Sequence, residues 1–393
     1  MHGKCLLCSA ILFLATSFAP ANVWAVDPLS TPLLHDPTRG TVAYLDVSAF
    51  AGNTVVPVTD VMHTSQWAGV YAPTSGTNYA LATGRLEAGV ERGGYHIGYA
   101  LRQEWFATAN RPALDAYEQS QNGLVLPGNP ERVKYSVRGW SGQGLRLGRT
   151  AQWRSSKEFW RVTGDVSINL LEGQHFRAEN WAGSFTPIAN GVVLANGGVS
   201  RNFGNMQRNL VGGPVPYAGP PEGWGYSIDF AIRIATPQGY HLDWTDADAV
   251  SAMRWRNISS ETFTLQNYVA CQQLSAACAI AKLSNVDLAT GRVVARDFTT
   301  RLPSNQRWTI GVPIARTELD LVDSVAYGLH FPGLAFRDFI GSDWSAGASY
   351  DIRFRAVGLE VNYRWLYAAW ESNVLNPSRA RTLAISMGAR VSY

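Results

Sequence analysis

The chain has 393 residues, 46% of them hydrophobic, 11% aromatic and only 16% charged, against about 25% charged in an average soluble protein. Thirty-three Lys and Arg against 30 Asp and Glu leave a formal net charge of +3, without the clustered basic excess of a nucleic-acid binder. So aromatic and weakly charged a composition also argues against disorder and a collagen-like repeat.

The first 25 residues read as a secretory signal. Met1-His2-Gly3-Lys4 is a short basic start, Cys5 to Phe18 is almost wholly apolar, and Val23-Trp24-Ala25 is a small-x-small ending. That is the n-region, h-region and cleavage grammar of an exported protein. Residues 26–393 are then expected to form one domain. Cleavage removes Cys5 and Cys8 and leaves Cys271 and Cys278, which read as a disulfide stapling a small loop. A two-cysteine metal site lacks nearby ligands, since the closest His in sequence is His241. No metal and no cofactor are expected.

Beyond the signal, the longest charge-free stretches are broken by Pro, Asn and Gly, so no membrane-spanning helix is predicted. Strict apolar–polar alternation, the mark of a half-buried strand, recurs instead. Leu86, Ala88 and Val90 oppose Arg85, Glu87 and Glu91; Arg92-Gly93-Gly94 offers a turn, and Tyr95, Ile97, Tyr99 and Leu101 oppose His96 and Arg102. Trp160, Val162, Val166, Ile168 and Leu170 oppose Arg161 and Asp165, and Tyr226 to Ile234 oppose Asp229 and Arg233. Clear strands are predicted near 83–91, 95–106, 132–140, 158–171, 224–236, 343–355, 357–369 and 381–393. Weaker ones fall near 41–50, 145–154, 174–185, 249–258, 261–270, 291–300, 306–316 and 321–331. The longer runs exceed the roughly five or six residues of a globular strand and reach the ~9–11 that span a bilayer. Trp105, Trp160, Trp181, Trp224, Tyr226, Trp308, Trp344, Tyr367 and Trp370 lie at or near strand ends, as in the interfacial girdles of membrane barrels.

The signal, the long dyad strands and a last strand closing on an aromatic residue resemble a Gram-negative outer-membrane β-barrel protein. The resemblance is one of architecture, spans residues 26–393 and picks out no particular family. It implies an all-β fold, a transmembrane antiparallel up-and-down β-barrel with an even number of strands; at roughly 25 residues per strand with its share of loop, the length after the signal suggests about 14, in a range of 12 to 16. It further implies location in the bacterial outer membrane, among its lipid and lipopolysaccharide. Leu383, Ile385, Met387, Ala389, Val391 and Tyr393 resemble the terminal signal read by the barrel-assembly machinery. Oligomeric state is not specified.

In such a barrel chemistry belongs to the lumen and the long loops. The candidate lumen residues are Arg85, Glu87, Glu91, His96, Arg102, Glu104, Arg161, Asp165, Asp229, Arg233, Asp351, Arg353, Arg355, Glu360 and Arg364. Mixed charges suit either a water-filled channel of weak ion selectivity or ion pairs that fill a narrow barrel. The Gly-, Asn- and Pro-rich stretch 184–223 reads as a long loop, either constricting the barrel or lying exposed on its surface.

No catalytic residues are assigned. Gly139-Trp140-Ser141-Gly142-Gln143-Gly144 lacks the spacing of a nucleophile elbow, and Asp243, Asp246 and Asp248 read as a solvated acidic loop without the glycine of a calcium loop. The expectation is a passive, porin-like channel or uptake protein for small solutes. A lipid- or peptide-processing enzyme and a closed structural or docking barrel are the alternatives, and a Ser or Asp within ~3 Å of His96 would favour the enzyme.

Overall fold

The computed structural model describes residues 40–61, 69–122, 128–155, 159–189, 192–204, 222–271, 288–340 and 344–392. Sixteen antiparallel strands form one sheet: β1 (Val42–Asn53), β2 (Thr77–Arg92), β3 (Tyr95–Asn110), β4 (Glu131–Arg154), β5 (Arg161–Ala189), β6 (Val192–Phe203), β7 (Glu222–Ala235), β8 (His241–Cys271), β9 (Leu288–Thr300), β10 (Asn305–Ile314), β11 (Thr317–Ala326), β12 (Leu329–Ile340), β13 (Trp344–Asp351), β14 (Ala356–Tyr363), β15 (Leu366–Ser372) and β16 (Thr382–Ser392). β1 pairs with β16 from Val42↔Ser392 to Gly52↔Thr382, which closes the sheet. A closed barrel leaves no backbone edge unpaired, the condition for crossing lipid with strands.

Fourteen strands make the ring, and β6 and β9 stand above it. Residues 161–173 of β5 pair with β7, while residues 177–189 pair with β6. Likewise β8 pairs with β7 and β10 through its first half and with β6 and β9 through its second. The wall is therefore tall on the β4–β9 side and short over β11–β15. Short turns such as Gly93-Gly94 and Ala315-Arg316 lie at the end carrying residues 42 and 392, and the longer connections lie opposite. Outer-membrane barrels place short turns at the periplasm and long loops outside, which orients the molecule.

The alternation predicted from sequence sets the two faces. Ile97, Tyr99, Leu101, Leu145, Leu147, Val166, Ile168, Leu170, Leu321, Val357 and Leu359 stand exposed on the outer surface, while Glu87, His96, Arg102, Arg146, Asp165, Asp229 and Glu360 are buried within. Tyr95, Trp153, Trp160, Tyr240, Trp344 and Trp365 cluster at the short-turn end, all exposed. Amphipathic rings belong at that depth. Tyr367 departs from the expectation: it is buried, and its hydroxyl reaches Ser386.

Several predicted boundaries shift for identifiable reasons. The segments near 132–140 and 145–154 are one strand, β4; those near 158–171 and 174–185 are one strand, β5; and 249–258 and 261–270 both fall in β8. In β5 the pairing steps from Gly142↔Gly173 to Ser141↔His175, so Gln174 has no partner and the alternation changes phase there. Conversely, the predicted runs 343–355 and 357–369 are three strands, because Arg355 and Arg364 adopt positive φ in tight turns. Half of the predicted 184–223 loop is sheet: β5 continues to Ala189 and β6 occupies 192–203, leaving residues 205–221 outside the described set. Tyr393, Cys278 and the side chain of Cys271 also lie outside it, as does the signal segment.

Candidate functional site

A network of buried, paired charges occupies the lumen on the β2–β8 side. At its centre Arg146 of β4 contacts Asp229 of β7, donates to Ser167 Oγ at 2.8 Å, and lies 3.6 Å from Glu87 and 3.9 Å from Asp165. Its side chain is 1% exposed and that of Asp229 0%. Glu87 is held from the other side by Arg85 and by the Tyr44 hydroxyl. One level nearer the outside, Arg102 binds Asp248 at 2.8 and 2.5 Å and Glu104 at 3.0 Å, and Asn305 also donates to Glu104.

A backbone irregularity builds part of this cluster. Between Ile228↔Val250 and Phe230↔Asp246 the β8 chain carries extra residues opposite Asp229. Asp248 there has φ 58° and donates its N–H to Asp229 Oδ1 at 2.9 Å. Bulges re-aim side chains, and this one turns Asp248 toward Arg102. The acidic segment is therefore strand rather than solvated loop: Asp243 pairs with Arg233, Asp248 with Arg102, and Asp246 accepts from Ser304 and Gln306.

Two apolar clusters cover the charges toward the outside. One joins Phe50, Leu81, Phe331 and Phe354; the other joins Trp140, Leu171, Met253, Trp255, Ile258 and Leu302. Arg353 lies across Tyr79 and Phe331 above the first.

Of the candidate lumen residues, Arg85, Glu87, Glu91, His96, Arg102, Glu104, Asp165, Asp229, Asp351 and Glu360 are buried, and Arg233 is half-buried. Arg161, Arg353, Arg355 and Arg364 are exposed at strand ends and turns. Arg353, Arg355 and Arg364 fall where the alternation runs into turns that reverse the chain, whereas Arg161 keeps the inward phase of Thr163 and Asp165 but sits at the open rim, the first residue of β5. Arg146, the hub, was not among the candidates, although Leu145 and Leu147 flank it in perfect alternation.

His96 meets the geometric condition set for an enzyme without its chemistry. Its Nε2 is 3.0 Å from Ser167 Oγ and its Nδ1 3.6 Å from Asp165. Ser167, however, donates its own proton to Asp165 at 2.7 Å and accepts from Arg146, so its oxygen faces His96 as an acceptor. Ser167 is fully buried. A nucleophile needs a base that accepts its proton, and this arrangement is structural packing. Gly148 makes room for it: a Cβ there would lie 2.2 Å from His96 Nε2. Gly148→Ala is expected to cost about 1–3 kcal/mol by overpacking, read as a lower unfolding midpoint in detergent. A second pair, Ser141 Oγ and His175 Nδ1 at 3.0 Å, is exposed on the outer face. No carboxylate hydrogen-bonded to His175 completes it among the described residues.

A large space lies elsewhere. A cavity of about 700 Å³ is lined by Val55, Val56, Ala109, Leu114, Val137, Trp181 and Phe185, with Tyr135, Arg177 and Glu179 on its polar side. Strand parity locates it. Two-residue steps from exposed Leu147 and Leu145 lead along β4 to Val137 and Tyr135, and from exposed Ile97 and Leu101 along β3 to Ala107 and Ala109. Both strands put the cavity on the continuation of the outer surface, above the apolar belt.

Its cover is the segment after β1 and the helix α1 (Arg111–Asn122). Asn110 caps that helix, accepting from the Ala113 N–H at 3.2 Å, and ties it to β4 through Lys134 N–H and the Arg132 carbonyl. Asn before an Arg-Pro start is a helix N-terminus signal. Tyr71 donates to Asp115 of α1 at 2.6 Å, and burial beside that carboxylate pushes the Tyr71 phenol well above its ordinary range. Sequence gave no sign of this cavity, because its walls meet only when the loop and helix fold back onto the strands.

No protein-family model and no curated protein matches the chain. Among solved structures it is similar to a mutant of the TodX monoaromatic hydrocarbon channel, with 10% identity, 90% of this chain and 89% of that chain covered, and a TM-score of 0.35. A Pseudomonas aeruginosa FadL homologue gives 11% identity, 95% and 93% coverage and a TM-score of 0.29. The CymD monoaromatic hydrocarbon channel gives 9%, 90%, 89% and 0.31. Likeness at this level carries no argument about substrate or mechanism. The closed ring, the apolar exterior and the aromatic girdle of the chain itself establish the outer-membrane barrel architecture.

Proposed function

We propose that the protein is an outer-membrane uptake barrel that captures a largely apolar small molecule on its extracellular side and rests with its lumen closed. The cavity of about 700 Å³ carries this reading. It is of the size and mainly apolar character of small-molecule sites, with a few polar groups to orient a ligand. Arg177, Glu179 and Tyr135 supply those groups along one wall. Free diffusion along a water-filled lumen fits less well, since the central charges are buried and paired. Their pairing instead favours a barrel that must rearrange before anything passes.

The test is equilibrium binding of an uncharged naphthylamine fluorophore to the detergent-purified protein. Val137→Trp and Ala109→Trp fill the cavity and are expected to weaken binding at least tenfold with strand content unchanged. Equal affinity in both variants would remove the cavity from the reading. Transfer of the same probe into proteoliposomes then separates uptake from a closed, docking barrel, which would bind without transferring.

A further inference from the structure

We propose that the periplasmic rim of the lumen holds a site for a first-row divalent cation, of Zn²⁺ type, made by His241, Glu318 and Asp320. One ligand atom from each lies within 4.8 Å of the others. They come from two strands, β8 and β11, that flank β10. His241 of β8 pairs with Gly311 of β10, which pairs with Asp320 of β11. Gly311 is the gap that lets them meet: a Cβ there would sit 1.8 Å from His241 Cε1, so the imidazole leans across the glycine toward Asp320.

Two further observations point to a cation. Asp320 has a side chain only 4% exposed, and its Oδ1, 3.8 Å from His241 Nε2, accepts no hydrogen bond. A buried carboxylate oxygen without a donor is costly, and a metal ion satisfies it directly. His241 Nδ1 lies 3.4 Å from the Gly239 carbonyl, an acceptor for its proton. Such a contact fixes the tautomer of metal-binding histidines and leaves Nε2 with its lone pair facing the metal.

Arginines on neighbouring strands engage the other carboxylates around the site. Arg233 takes both oxygens of Asp243, at 2.7 and 2.5 Å. Arg337 binds Glu360 at 2.5 Å and approaches Glu318 Oε1 at 3.5 Å, leaving Glu318 Oε2 on the side of His241, 4.0 Å from Nδ1. One imidazole and two carboxylates are a donor set for Zn²⁺ with an open position for water. Bonds of about 2.0–2.2 Å need the ligand atoms drawn in by about an ångström, within reach of side-chain rotation. His241 and Glu318 each sit within two residues of a short turn, so an ion can enter from the periplasm.

The experiment is calorimetric titration of the chelator-treated, full-length protein in detergent with Zn²⁺, repeated with Co²⁺ to read its visible absorption. One strong equivalent is expected in the wild type, weakened at least tenfold in Asp320→Asn and in His241→Ala, with the Co²⁺ bands lost. Heat-modifiable gel mobility verifies that each variant is folded. Absence of a strong equivalent in the wild type overturns the proposal, as does undiminished binding by folded Asp320→Asn. Either failure leaves the cavity reading untouched, because the two sites share no residue.

Discussion

Replacing Arg146 by Met is expected to destabilise the barrel by about 3–5 kcal/mol, the cost of leaving buried carboxylates without their cation. Arg146 reaches Asp229, Glu87 and Asp165 together. Glu87 keeps Arg85, and Asp229 keeps the Asn169 amide and the Asp248 N–H, but their mutual repulsion is no longer offset. The double variant Arg146→Met, Asp229→Asn should recover much of the loss, since it removes charge from both sides of the contact. Reversible urea unfolding in lipid vesicles measures both. The same single variant is expected to admit water and to show current steps in a planar bilayer where the wild type shows none. A loss under about 1 kcal/mol together with a silent bilayer would mean that the pairs do not hold the lumen shut.

On the opposite face of the same wall, Ile168→Lys is expected to cost about 2–4 kcal/mol, the penalty for a cation at the bilayer midplane of a barrel. Ile168 is 45% exposed between inward Ser167 and Asn169, beside Leu147 of β4 and Ile228 of β7. Trp153→Lys, in the aromatic girdle at the short-turn end, should cost only about 0–1 kcal/mol from charge placement, because the penalty falls toward the interface. Equal costs at the two positions would show that residue 168 does not face hydrocarbon. The pair of variants therefore checks the depth assigned to β5 as well as its facing.

Much of this molecule was legible without coordinates because a strand has period 2 and lipid imposes its own side of that period. Tyr95 to Leu101 and Val166 to Leu170 declare their outward faces, and Leu383 to Val391 declare the closing strand. Fourteen strands in the ring also agrees with the sequence count. Individual boundaries failed where the period itself broke. Gln174 changes the phase within β5, and Arg355 and Arg364 turn the chain without Gly or Pro to announce it.

Whether the lumen was open or filled was left undecided by alternation, which places a charge inward without giving its partner. Glycines at inward positions mark where that interior is packed. Tyr44 lies over Gly89 and Gly98, His96 over Gly148, His241 over Gly311, and Tyr367 over Gly388. Each missing side chain is occupied by a large one from a neighbouring strand, as a packed interior requires.

The sequence by itself determined the class of fold, the outward face and the inward placement of most lumen charges, because those follow from local periodicity and the solvent on each side. Only the tertiary structure decided that Arg146 is the hub, that Asp248 turns toward Arg102, and that His241 meets Asp320. It alone created the cavity between the outer wall and helix α1. Each of these depends on register between strands distant in the chain, or on a loop folding back, and neither is written in the alternation of a single segment.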